Sequence, residues 1–222
     1  GIYSNKVKYK SKTNEYEQCY FEYYIFTETK KHKFTQSLIT NFFAIQKNIF
    51  KKNKGFVTYF PGASLEDQEF GFRLQRNGHK IEILRNLKTV HHVNFGVMYF
   101  IKKINTRQIG EMKMHLRNKK TFVQKSVQTN YWGVIAGLML ITTIISLIFI
   151  NFFFATPFFL ESLISLNLIF IGLHLGFFKY VFLTKGFIST LRSIFYTYLH
   201  RLVVANCAFS GLIDFYVFRR RY

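Results

Sequence analysis

The sequence predicts an α/β portion over residues 1–96 and a basic amphipathic helix with its linker over 97–130. A helical transmembrane hairpin follows over 131–185, and an interfacial or re-entrant helical tail over 186–222. Three observations predict this. Short alternating runs such as Lys80-Ile81-Glu82-Ile83-Leu84 follow a segment, Leu65 to Leu74, with apolar residues at helical spacing. From Val97 to Leu116, apolar positions (Val97, Phe100, Ile101, Ile104, Met112) recur at helical spacing among lysines and arginines, the pattern of a helix lying on a membrane surface. Tyr131 to Leu160 carries no charged residue, and neither does Ser162 to Phe178. The first run exceeds the ~20 apolar residues that a crossing requires, and the apolar character of the second continues to Leu183.

At 222 residues the chain is long enough for one domain with a core and an appendage. Its net charge of +20, from 31 basic and 11 acidic residues, points to an anionic partner: nucleic acid, a lipid surface or a phosphorylated ligand. The 28 Phe and 14 Tyr accompany many Ile, Asn and Lys, so they read as a compositional bias and not as a stacking surface. Cys19 and Cys207 lie far apart in unlike surroundings, which argues against a disulfide and for a reducing compartment. A start at Gly1, without Met or a signal-peptide pattern, suggests a fragment.

Taken in order, the run from Cys19 to Phe26 reads equally as a buried strand or a short helix. A strand is expected near Asn41 to Ile45, then a helical turn, then a solvated break at Lys51 to Gly55. From Ser64 the pattern is helical. Ser64 can cap, Glu66, Asp67 and Glu69 complement the dipole in the first turn, and Gly78 suits the C-terminal stop. Lys80 to Leu84 and Thr89 to Val93 read as further strands.

In the hairpin, Thr156-Pro157 marks the turn, and Tyr131 and Trp132 mark an interface. Twenty-four lysines and arginines lie in residues 1–125 and seven from Lys179 onward, which places both termini on the cytoplasmic face. Gly133, Gly137, Gly172 and Gly176 suit close packing of the two spans. Arg192, His200, Arg201 and Asp214 interrupt the apolar tail, so an interfacial or re-entrant helix fits it better than a third span. Arg219, Arg220 and Arg221 would then sit among anionic headgroups.

The acids Glu66, Asp67 and Glu69 stand out in so basic a chain. With Thr40-Asn41, Gly55-Phe56, Arg73-Leu74, Gly78 and Val90-His91 they form an ordered set over about residues 35–95. That set resembles the membrane-bound, inverting family 2 glycosyltransferases of GT-A type. The resemblance implies that the α/β portion is the acceptor-side half of a GT-A fold. It implies a nucleotide-sugar donor, a glycan or polyprenyl-linked acceptor, contact with membrane lipids and no nucleic acid. Asp67 would be the general base and Glu66 would orient the acceptor or the base. Arg73, Thr40 and Asn41 would contact acceptor or donor. His91, or alternatively His92, would lie near a divalent metal, Mg or Mn, and the diphosphate. Two departures matter. The chain has two aspartates in all, Asp67 and Asp214, so the family's Asp-x-Asp motif is absent. Its Gln-x-x-Arg-Trp motif is absent too, and Arg107-Gln108-Ile109-Gly110-Glu111 is a poor substitute. The resemblance is therefore to a C-terminal portion that lacks the donor-binding half and is inactive alone.

Plainer readings stand beside these. The first-turn acids serve a helix dipole in many proteins, adjacent histidines are more often structural than ligands, and lysine runs usually face solvent or headgroups. His174 and His200, in apolar helical stretches, are expected to bond within the helices or face the interface. A different class of function is a non-enzymatic basic membrane subunit that docks RNA, anionic lipid or a larger complex. The ordered elements from Thr40 to His91 favour the enzyme. A carboxylate at a helix N-terminus is held ionised, whereas a base of raised pKa needs an apolar wall beside it.

Overall fold

The computed structural model describes residues 2–3, 11–31, 34–35, 38, 40, 42–60, 65–84, 88–89, 96–117, 137, 148–149 and 158–219. Helix dominates them: α1 (Lys12–Lys31), α2 (Lys47–Lys52), α3 (Glu66–Arg76), α4 (Val97–Arg117), α5 (Phe158–Leu173), α6 (Leu175–Lys185) and α7 (Phe187–Tyr216). The strands β1 (Ile2–Tyr3), β2 (Phe34–Thr35), β3 (Ile81–Glu82) and β4 (Lys88–Thr89) have two residues each. β1 pairs with β4 in parallel, and β2 pairs with β3 antiparallel, Phe34 opposite Glu82 and Thr35 opposite Ile81.

The described residues therefore do not form an α/β fold, and the expected acceptor-side GT-A sheet is not found among them. Pairings of two residues cannot bury a sheet face. The open run from Cys19 to Phe26 belongs to α1, where Tyr16, Cys19 and Tyr20 bury at helical spacing. The strand expected near Asn41 to Ile45 is irregular over residues 43–46, and Phe43 and Ile45 pack instead against the apolar face of α3. The alternation from Lys80 to Leu84 yields only the pair Ile81–Glu82. By contrast, α3 and α4 lie where their apolar spacing predicts them.

The second span of the expected hairpin is also corrected. No single described helix is long and apolar enough to cross a membrane. The second expected span is two helices, bent by 69° at the break between them. The break has a local cause. His174 Nδ1 lies 3.0 Å from the Phe170 carbonyl, the acceptor that its own backbone N–H would use in an unbroken helix. That N–H donates instead to Ile171 O (3.1 Å), tightening the turn. The first expected span falls almost wholly outside the described residues.

Two compact units divide the chain. One is Gly1–Asn130 with Cys207–Tyr222, and the other is Tyr131–Asn206. In the first, α1 and α4 are joined by Lys103 Nζ to Glu17 Oε1 (2.7 Å) and by Tyr16 set edge-on to Phe100. The end of α7 joins α4 through Lys113 Nζ to Asp214 Oδ2 (2.7 Å) and through Cys207 Sγ, which donates to Asn105 Oδ1 (2.9 Å). In the second unit, Phe170, Phe177, Phe178 and Val181 are buried. Tyr198 stacks on Phe170 and donates to Asn167 Oδ1 (2.6 Å), and Arg201 Nε donates to His174 Nε2 (3.1 Å).

A smaller core in the first unit positions the acidic cluster. Leu38, Phe70 and Leu74 are buried there, with Phe43, Ile45, Ile49, Phe50 and Ile81 packed around them. Arg73 locks α3 to the turn after α2. Its guanidinium bonds Glu69 through Nε (3.1 Å) and Nη2 (2.7 Å), and donates to the carbonyls of Asn53 and Gly55. Lys54 and Gly55 both take positive φ (59° and 57°), which turns those carbonyls toward α3. Removing the guanidinium leaves Glu69 buried and unpaired. Arg73→Ala should therefore cost roughly 3 kcal/mol in chemical denaturation. Amide exchange in α2 should rise with it, and Arg73→Lys, which keeps the charge but not the fork, should fall between the two.

Candidate functional site

The acidic cluster opens α3. Leu65 is the N-cap and makes no side-chain cap bond, and Ser64, the expected cap, lies outside the described residues. Glu66, Asp67 and Glu69 fill the first turn, and Asp67 Oδ1 accepts the Gln68 backbone N–H at 2.7 Å. This placement puts a carboxylate where the helix dipole and free N–H groups favour negative charge.

Helix α4 supplies the other wall. A Cβ on Gly110 would lie 2.5 Å from Leu65 Cδ1, closer than real atoms approach, so glycine is what lets α4 meet the start of α3. Leu65 is fully buried at that contact. Arg107 and Glu111, on the same side of α4 by helical spacing, then come beside Asp67. Glu111 is 1% exposed, and its Oε1 lies 4.0 Å from Arg107 Nε. Gln68 and Gln108 stand next to Glu111, yet neither of its oxygens has a hydrogen bond of good geometry among the described residues.

Burial controls the charge of both acids. Loss of water raises the Asp67 pKa above the usual carboxylate range, and the Glu66 charge adds to that. Arg107 and the Gln68 N–H work against it. Burial likewise raises Glu111, and the nearness of Asp67 adds to the rise. Arg107 opposes it most, with smaller help from the Gln68 and Gln108 amides. The result is two carboxylates of raised proton affinity sharing one guanidinium, an arrangement suited to accepting a proton.

The expected site residues fare differently. Asp67 and Glu66 are half-buried at the head of α3. Arg73 is on the same helix but is engaged by Glu69, Asn53 and Gly55. Thr40 lies in a turn and is half-buried, while Asn41, His91 and His92 fall outside the described residues. No group of three His, Cys, Asp or Glu among the described residues is placed to hold a metal ion, and His91 and His92, expected near the Mg or Mn, lie outside those residues. Sequence reasoning set aside Arg107 to Glu111 for lacking a family motif. The overlooked signal was an Arg–Glu pair four residues apart, with a glycine between them on a helix otherwise rich in large side chains.

Two measurements check this geometry. Glu111→Gln should leave the melting temperature unchanged in acid, below the unfolded carboxyl pKa, where Glu111 is protonated in both states. As pH rises above the unfolded carboxyl pKa the native chain takes on the burial penalty, so the variant should melt higher than the parent there. Gly110→Ala must turn aside the end of the buried Leu65 side chain, a cost that about 1 kcal/mol of gained helix propensity partly offsets, so the loss of stability should be about 1 kcal/mol. Comparison of the chain with protein-family models, curated proteins and solved structures gives no match.

Proposed function

We propose that the first unit supplies the proton-accepting side of an inverting glycosyl transfer, with Asp67 as the general base. One observation carries this reading. Asp67 is a half-buried carboxylate at a helix N-terminus, its proton affinity raised by burial and moderated by Arg107. The ordered residues from Thr40 to His91 support it from the sequence side.

In this mechanism the acceptor hydroxyl hydrogen-bonds to the Asp67 carboxylate. As the hydroxyl oxygen attacks the anomeric carbon, its proton passes to Asp67. The bond from that carbon to the nucleotide diphosphate breaks, and the electron pair leaves with the diphosphate. A base of raised pKa suits the step in its ionised form, since it pulls more strongly on the proton. The Arg107 charge works against the rise in the Asp67 pKa, and Glu66 flanks the acceptor. No Asp-x-Asp occurs in the 222 residues, so the groups holding the donor come from outside them. The acceptor is a glycan or polyprenyl-linked sugar at a membrane.

The test is Asp67→Asn in membranes that contain the protein together with its donor-binding part, assayed with radiolabelled nucleotide sugars. Transfer should fall about 10²–10⁴-fold while donor affinity stays the same. In the native protein the rate should rise with pH through the raised Asp67 pKa and then level off, because the ionised form is the active one. Unaltered transfer, or loss of donor binding, would reject Asp67 as the base.

A further inference from the structure

The second unit, Tyr131–Asn206, exposes large apolar side chains along its described helices and buries four polar ones beside Phe170, Phe177, Phe178 and Val181. Its buried side chains include His174, Ser193, Thr197 and Arg201, the last only 2% exposed. Its outward side chains include Leu168 (64% exposed), Leu173 (60%), Leu183 (72%), Ile188 (64%) and Phe195 (63%). A buried arginine and a run of exposed large apolar side chains are each unusual in a water-soluble unit. Outward apolar surface on three successive helices is far more than the scattered single residues of an ordinary protein surface. The internal polar groups are paired as they are within lipid, Arg201 with His174 and Tyr198 with Asn167.

The bend decides how such a unit meets a bilayer. Uncharged helix from Ser162 to Leu173 gives only about 18 Å of length. α6 turns away by 69° and so adds little depth along that axis. Even along the diagonal of both helices the reach is about 28 Å, against a hydrocarbon core of ~30 Å. That orientation would also draw the exposed Lys179 into the acyl chains. With α6 lying near the membrane plane instead, Lys179, Lys185 and Arg192 reach the phosphate headgroups while Leu173 and its neighbours enter the tails.

We propose that α5, α6 and the first part of α7 are embedded in one leaflet of an anionic bilayer. The kink at His174 returns the chain toward the face it entered, and the segment does not cross. The proposal stands on the side-chain distribution and the bend, independently of any role for Asp67.

The experiment uses the full chain in bacterial inner membranes, with Glu161→Cys and Thr184→Cys made singly at exposed positions on either side of the bend. The parent chain serves as the blank, since Cys19 and Cys207 are buried. An impermeant maleimide is applied to spheroplasts and to inverted vesicles. Both positions should label from the same side. Labelling from opposite sides means a crossing and overturns the proposal. Protection of both until detergent is added also overturns it, as does recovery of the chain in the soluble fraction.

Discussion

The first unit hangs on helix α4. Along its length it takes Glu17 of α1 through Lys103, Leu65 at the head of α3 through Gly110, and Asp214 of α7 through Lys113. It meets Gly211 of α7 through Met112, where a Cβ would stand 3.0 Å from Met112 Cβ. The tightest of these approaches is at Gly110. It is also the contact that carries Arg107 and Glu111 to Asp67, so packing and the charge state of the acids have a common origin.

The chain's overall charge hides how it uses its acids. Among the described residues, Glu17, Glu69, Glu111 and Asp214 each face a lysine or arginine, three of them at 2.7 Å and Glu111 at 4.0 Å. In a protein of net charge +20, carboxylates are scarce; Glu17 and Asp214 join separate helices, whereas the pairs of Glu69 and Glu111 lie within α3 and α4. Glu111 is the exception in kind. It is the most deeply buried of the four and has the longest ion pair, an arrangement in which desolvation outweighs attraction.

Sequence patterning gave α3 and α4 almost to the residue, because both are amphipathic with a clear helical period. It left α1 open because Tyr and Phe fill both faces of that segment, and aromatic residues suit strands as well as helices. It erred at Asn41 to Ile45, where apolar residues that looked like a strand are irregular chain plugging a core. The break at His174 was not legible, because a histidine in an apolar run carries no mark of which carbonyl its ring will approach. At the site, Asp67 was legible from its position after a helix start. Glu111 and Arg107 were not, since their nearness to Asp67 depends on how two helices pack.

The fork of Arg73 has a further consequence for the order in which the chain acquires structure. Lys54 and Gly55 hold left-handed backbone in a turn that follows a helix of only six residues, which has little stability by itself. The carbonyls exposed by that turn are satisfied from 18 and 20 residues further on. Until α3 has formed, those bonds have no donor, and until the turn has formed, Glu69 alone holds the guanidinium. The turn after α2 and the helix α3 are thus expected to gain their structure together, at the loop-closure cost of the chain between them.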